Sequence, residues 1–169
     1  MSIRTLTLAS IQVAQARKVM ISGRVILTAI HKTDVQGAVV VKPLGLEGDE
    51  QADPSVHGGL DKAVCAYPSE HYAFWRQQRE QAGVAGIDDA LLHGSIGENL
   101  TLQGLLETDV WVGDVLRFPH CTLRATQPRE PCYKFNAARG AATEHCAAVS
   151  GQNIQAPAAG VSAVSPLLG

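Results

Sequence analysis

Cys132 lies in the run Gln127-Pro128-Arg129-Glu130-Pro131-Cys132-Tyr133-Lys134, between two prolines and beside two basic side chains. Proline cannot donate to a sheet ladder, so such a thiol belongs on a loop or a strand edge. Arg129 and Lys134 favour the thiolate, the form that ligates metals and attacks electrophiles. A lone cysteine is just as commonly a small buried hydrophobe, and the run by itself leaves both readings open. Three further runs could meet a ligand: Gly45-Leu46-Glu47-Gly48-Asp49, His57-Gly58-Gly59-Leu60-Asp61-Lys62 and Gly97-Glu98-Asn99. Glycine lets backbone N–H groups approach a bound anion, and lysine or arginine can neutralise a phosphate there. Each run also reads as a plain turn, and none is a Walker or Rossmann signature. His57 alone reads first as a hydrogen-bonded structural residue, while Glu98 and Asn99 can close a turn as readily as orient a ligand.

The elements that must position these residues are mostly short strands. Residues 1–16 read as a first strand, and the polar Thr5, Thr7, Ser10 and Gln12 argue against a signal peptide. The β-branched stretch 24–31 and Val39-Val40-Val41 read as an antiparallel pair. Residues 45–61 are too rich in Gly, Asp and Pro for a regular element. A strand over 62–67 ends at Pro68, which suits the first turn of a helix carrying Tyr72, Trp75 and Arg79 through Gln81. A helical turn is expected at 88–93, and two short strands about Gly113-Asp114 within 110–118. Cys121, Leu123 and Ala125 alternate with Thr122, Arg124 and Thr126 as a half-buried strand does, and this strand delivers the chain to Cys132. The pattern predicts a mainly β fold, a small barrel or sandwich with a few short helices. From residue 137 onward Ala, Gly, Ser and Pro dominate without periodicity, which predicts a poorly ordered tail.

Composition narrows the function classes. The 169 residues fit one domain, and 46% apolar with 18% charged residues is ordinary for a soluble globular chain. With a net charge of −2 and no basic blocks, bulk attraction to nucleic acid or to anionic membrane is not expected. The cysteines at 65, 121, 132 and 146 show neither a CxxC pair nor metal-finger spacing, so reduced thiols in the cytoplasm are the simpler expectation.

Taken in order, the motifs resemble the MOSC domain, named for molybdenum cofactor sulfurase C-terminal domains, and within it the YiiM-type proteins. The resemblance runs from about residue 23 to about 136. It is carried by Thr28-Ala29-Ile30-His31-Lys32, the 45–53 run, His57-Gly58-Gly59-Leu60-Asp61-Lys62-Ala63-Val64, Tyr67-Pro68-Ser69-Glu70-His71-Tyr72, Gly97-Glu98-Asn99-Leu100-Thr101, Val112-Gly113-Asp114 and the Cys132 run. It implies a MOSC β-barrel-like domain over 1–136 that binds molybdenum cofactor (molybdopterin), with Cys132 as the sulfur ligand to the metal. By position in the motifs, Lys32, Lys62 and Arg129 would face the anionic cofactor. His57 and Asn99 would hydrogen-bond it, and Glu98 would be a proton donor.

What the resemblance implies for activity is a molybdenum-dependent oxidoreductase. Its small-molecule substrates would be N-hydroxylated compounds such as hydroxylaminopurines, and a separate electron-donor protein would supply the electrons. The alternative is a non-catalytic module that carries or senses the cofactor or a sulfur species. Residues 137–169 match neither the closing strands nor the C-terminal helices of such proteins and read as a diverged or truncated terminus. An open sheet edge left that way would invite a homodimer.

Overall fold

The computed structural model describes residues 4–21, 23–81, 83, 91–128 and 161–166, and of Val56, His57 and 161–166 the backbone alone. The chain opens with β1 (Thr7–Val13), a hairpin of β2 (Arg17–Ile21) and β3 (Arg24–Thr28), and the short β4 (Thr33–Asp34). A second small hairpin, β5 (Val41–Lys42) with β6 (Gly45–Leu46), precedes the single turn of α1 (Pro54–His57). Then come β7 (Val64–Pro68), α2 (His71–Gln81), β8 (Leu100–Gln103), β9 (Val115–Arg117), β10 (Thr122–Pro128) and β11 (Val161–Pro166).

Seven strands form one sheet in the order β4-β1-β8-β7-β11-β10-β9. Its neighbours are antiparallel except β7 and β8, which run parallel because α2 lies in the crossover between them. The sheet is mainly antiparallel, and among the described residues no pairing joins β4 to β9, so no closed barrel is found there.

Side-chain alternation divides the molecule into two layers. Val64 and Ala66 of β7, Leu100 and Leu102 of β8, and Leu123 of β10 pack on one face in a single apolar cluster. Tyr67 turns to the other face, where it is fully buried with Tyr72 and Trp75 of α2, Ile30, Leu91 and Ile96. There the Trp75 indole N–H donates to the Tyr67 hydroxyl at 2.7 Å, which satisfies the polar ends of two buried aromatics. A β-bulge between Leu8 and Ser10 keeps β1 in step with this division. The extra residue lets Leu8, Ile11 and Val13 all pack against the first cluster, while Ser10 and Gln12 turn to the other side with Thr101 of β8.

Several sequence expectations hold and several do not. Strand β1, helix α2 through Gln81, and the buried Leu123 and Ala125 of β10 stand where the periodicity places them. The 24–31 stretch pairs with Arg17–Ile21 instead of with Val39–Val41. A two-residue connection at 22–23, with Gly23 at φ 75°, closes that hairpin locally, and a nearby partner costs less chain entropy than a remote one. Pro68 ends β7 and the helix begins three residues later, because Pro68 takes its place in the parallel pairing opposite Leu102. Within 110–118 only β9 forms. The preceding residues make a 3₁₀ turn at Glu107–Asp109, and Trp111 N–H is held at 2.9 Å by the Asp114 carboxylate. Of the helical turn expected at 88–93, residues 88–90 lie outside the described residues, and 91–93 are not helical.

Within the stretch 137–169, residues 161–166 form β11, which enters the sheet between β7 and β10 and pairs with both. That insertion unites β9 and β10 with the rest of the sheet. Removing the Leu123 side chain, 1% exposed at this junction, is expected to cost about 2–5 kcal/mol. Leu60→Ala, at a site 60% exposed, should change stability by less than about 0.5 kcal/mol. Equilibrium denaturant unfolding of the two variants beside the wild type checks both values.

Candidate functional site

On the face opposite the apolar cluster, several of the described motif residues converge on a buried polar network. Its hub is Asn99, 4% exposed, at the entry to β8. The Asn99 amide donates to Gln12 O at 3.1 Å and to Asp49 Oδ2 at 2.9 Å, and its Oδ1 accepts from Cys65 N–H at 3.0 Å. Its backbone adds Gln12 N–H to Asn99 O at 2.8 Å and Asn99 N–H to Cys65 O at 2.7 Å. One side chain and its peptide groups therefore lock β1, β7 and the 45–49 loop together.

Asp49 is the second node. Its Oδ1 accepts from Ala14 N–H at 2.8 Å and pairs with the Lys32 ammonium. The two side chains of that ion pair are only 7% and 6% exposed. In so dry a place each charge depends on the other, since an unpaired buried charge carries a desolvation penalty of several kcal/mol. Lys32 is therefore committed to the protein's own carboxylate.

Glu98, fully buried, is the third node. Its carboxylate accepts from Gly94 N–H at 2.8 Å, Ile96 N–H at 3.2 Å, Thr101 Oγ1 at 3.1 Å and the Tyr72 hydroxyl. Burial first, and then the charge of Glu98, hold the Tyr72 phenol well above its ordinary pKa. Gly94, at φ 86°, suits this turn for a second reason: an added Cβ would lie 2.7 Å from Lys32 O. Tyr72 also meets the His93 ring edge-on at 5.3 Å, and His93 Nδ1 lies 2.6 Å from Ser10 Oγ. Gln12 closes the circuit by donating to Ser10 Oγ and, at 2.9 Å, to Asp34 Oδ1.

The structure thus brings together Lys32, Glu98 and Asn99 of the sequence-derived candidates. Lys62 stands apart, exposed, at the end of the 3₁₀ turn Leu60–Lys62 next to β7. That turn follows Gly59, at φ 89°, and among the described residues no atom lies within 4 Å of where a Cβ would stand. The Gly59 N–H donates at 2.8 Å to Gln51 Oε1, so the loop is pinned from behind. The side chain of His57 and the whole of Arg129 and Cys132 lie outside the described residues, where β10 has already ended at Pro128. Gln12, Tyr72, His93 and Thr101 were not singled out from sequence as site residues. The one available signal was polar residues at Ser10, Gln12 and Thr101 in otherwise apolar strands.

A mainly antiparallel sheet with one crossover helix and a buried polar clamp that ties the 45–49 loop to β1 and β7 defines a β-rich domain. The model of the MOSC domain matches residues 53–161, and the chain belongs to that family. Among curated relatives it is 46% identical to YiiM of Escherichia coli strain K12 over 110 residues, 64% of this chain and 46% of that protein. It is 39% identical to the uncharacterized YflK of Bacillus subtilis strain 168 over 75% of this chain and 53% of that one. A protein of Gibberella moniliformis named a reductase is 34% identical over 68% of this chain and 20% of its own length. The crystal structure of YiiM from Geobacillus stearothermophilus superposes with a TM-score of 0.63 at 28% identity, covering 96% of this chain and 68% of that one. The chain spans about half the length of the two bacterial relatives it matches by sequence.

Two outcomes follow from the clamp. Lys32→Met strands the Asp49 carboxylate and is expected to cost about 3–5 kcal/mol, with much of the loss recovered in Lys32→Met/Asp49→Asn, as read by denaturant unfolding. Tyr72 titrates above its ordinary 10.0 in the folded state, so the folded protein binds the extra proton once pH passes about 10. Stability is then lost as pH rises through that range, and Tyr72→Phe should show a shallower alkaline decline in Tm.

Proposed function

We propose that this chain binds molybdenum cofactor through Cys132 and takes part in the reduction of N-hydroxylated small molecules such as hydroxylaminopurines. The observation that carries the reading is the family match over 53–161, which spans both Asn99 and the Cys132 run. The reductase name of the Gibberella relative supports the reaction class. Among the described residues no three His, Cys, Asp or Glu side chains form a metal site, so a protein ligand would come from Cys132 as a thiolate. Among the described residues, Lys62 at the end of the 59–62 run is an exposed cation that could meet an anionic group.

When bound, the cofactor supplies two-electron redox chemistry, and the protein supplies binding, orientation and protons. The balanced change is R–NHOH with two electrons and two protons to R–NH₂ and water; the electrons come from a separate donor protein. Lys62 and Arg129 neutralise cofactor charge and Cys132 ligates the metal. Lys32, Asp49 and Asn99 hold the 45–49 loop and the start of β8 in place, acting through the backbone they fix. Glu98, with four donors around it, secures the 94–98 turn in the same way.

A second reading is a module that carries or senses the cofactor without turnover. Molybdenum and pterin content of protein purified from a cofactor-producing host, wild type beside Cys132→Ala, tests the first proposal. Near-stoichiometric metal in the wild type and its loss in Cys132→Ala are expected, with reduction of hydroxylaminopurine lost in parallel. Full metal and activity in Cys132→Ala would overturn it. Stoichiometric cofactor with no turnover, even with a chemical reductant, would select the carrier reading. Lys62→Glu, at an exposed position, should lower pterin retention several-fold.

A further inference from the structure

Strands β9 and β10 contain no acidic residue and carry two arginines on their outer face. Cross-strand partners share a face, so Arg117 with Thr122 and Val115 with Arg124 lie on one side, away from buried Leu116, Leu123 and Ala125. Arg117 and Arg124 are exposed and take part in no ion pair among the described residues. They are diagonal neighbours across the two strands, about 7–8 Å apart, which lets two long side chains reach one anion.

Further along β10 an aromatic residue stands in a fixed turn. Trp111 is 77% exposed, whereas Trp75 of the core is 5% exposed. The turn Trp111–Asp114 closes through Asp114 N–H to Trp111 O at 3.0 Å and through Trp111 N–H to the Asp114 carboxylate at 2.9 Å. Gly113 supplies the φ of 99° that its third position requires. The turn is tied to the residue after Arg124, because Gly113 N–H donates to Ala125 O at 2.7 Å and Ala125 N–H to Asp114 O at 2.8 Å. An exposed indole is thus held beside a pair of exposed guanidinium groups. Two acids border the face. Asp114 is engaged with its own turn, and Asp61 accepts the Thr126 hydroxyl through its carbonyl at 2.6 Å, two residues beyond Arg124.

We propose that this face binds an N-hydroxylated purine nucleotide, with its phosphate on Arg117 and Arg124 and its base against Trp111. The proposal rests on the reductase reading above and specifies its substrate. Guanidinium forks match a phosphate, and an indole offers a flat face on which a purine stacks. The order along the strand matches the ligand. The arginines come first, the tryptophan turn lies beside Ala125, and β10 ends at Pro128, about 13 Å beyond Arg124 and four residues before Cys132 in the sequence. Phosphate, base and reacting N–O group follow one another in the same order. Two electrons from the donor protein and two protons then convert the adenine analogue's N-hydroxyl group to the amine of AMP and water. A single strand of nucleic acid needs successive aromatics along a basic groove, whereas one indole and two arginines serve one base and one phosphate.

AMP, the product of that reduction, is the probe. Its binding to full-length protein is measured by equilibrium dialysis beside adenosine, inorganic phosphate and an oligodeoxyadenylate. AMP should bind at least tenfold more tightly than adenosine or phosphate. Arg117→Gln/Arg124→Gln should abolish that preference, and Trp111→Ala should weaken AMP and adenosine alike. Arg76→Gln, which removes an exposed cation from α2, should bind AMP as the wild type does. In turnover with a chemical reductant, the double arginine variant should raise KM for hydroxylaminopurine ribonucleotide at least tenfold relative to KM for the free base. Equal wild-type affinity for AMP and adenosine, or a preference that survives loss of both arginines, would overturn the proposal. Loss of molybdenum and pterin in the double variant would do the same, since the arginines would then hold the cofactor's own phosphate. Tighter binding of the oligonucleotide than of AMP would make the face a single-strand surface instead. AMP binding that depends on the arginines, without turnover of base or nucleotide, would uphold the nucleotide site and sink the reductase reading.

Discussion

Asn99 is the residue on which the arrangement of this domain turns. A side-chain amide carries two donors and an acceptor, and here all three are used within 3.1 Å on three separate segments: Gln12 of β1, Asp49 of the glycine loop and Cys65 of β7. Buried polar groups are costly unless satisfied, so this geometry leaves little room for β1, β7 and the loop to move independently. The Lys32–Asp49 pair depends on the same site, because Asp49 presents one oxygen to the ammonium and the other to Asn99.

The sheet's two faces divide the work. One face is apolar and supplies cohesion through Val64, Ala66, Leu100, Leu102 and Leu123. The other collects Ser10, Gln12 and Thr101 beside the aromatic cluster under α2, and its polar groups find one another. The bulge in β1 makes this separation consistent along the whole strand. Without it Leu8 and Ile11, three residues apart, would point to opposite faces. Placing Glu98 at the junction lets one carboxylate secure the 94–98 turn, β8 and α2 together.

For a MOSC family member, this construction separates support from ligand contact. The charged groups buried deepest, Lys32, Asp49 and Glu98, are occupied with one another or with the backbone. Lys62, by contrast, is exposed at the end of the 3₁₀ turn Leu60–Lys62. A ligand-binding loop needs its backbone fixed before its exposed atoms can be specific, and a satisfied polar core behind it provides that.

Family, strand-rich class and several elements were legible in the residues themselves, because strand alternation at 121–126 and helical spacing at 72–79 are local properties. The motif blocks likewise marked Lys32, Glu98 and Asn99, although type and spacing could not say whether each meets a ligand or the protein. That choice depends on which groups lie across from them. Asp49 meets Lys32 from seventeen residues away, and Gln12 meets Asn99 from eighty-seven. Pairing partners were hidden for the same reason. Residues 24–28 chose the neighbouring strand through a two-residue turn, and the Val- and Ser-containing segment at 161–166 became an interior strand because β7 and β10 offered it hydrogen-bond ladders on both sides. The sequence by itself determined what each segment could become; tertiary structure alone decided which buried polar groups would satisfy one another, since that is a property of pairs far apart in the chain.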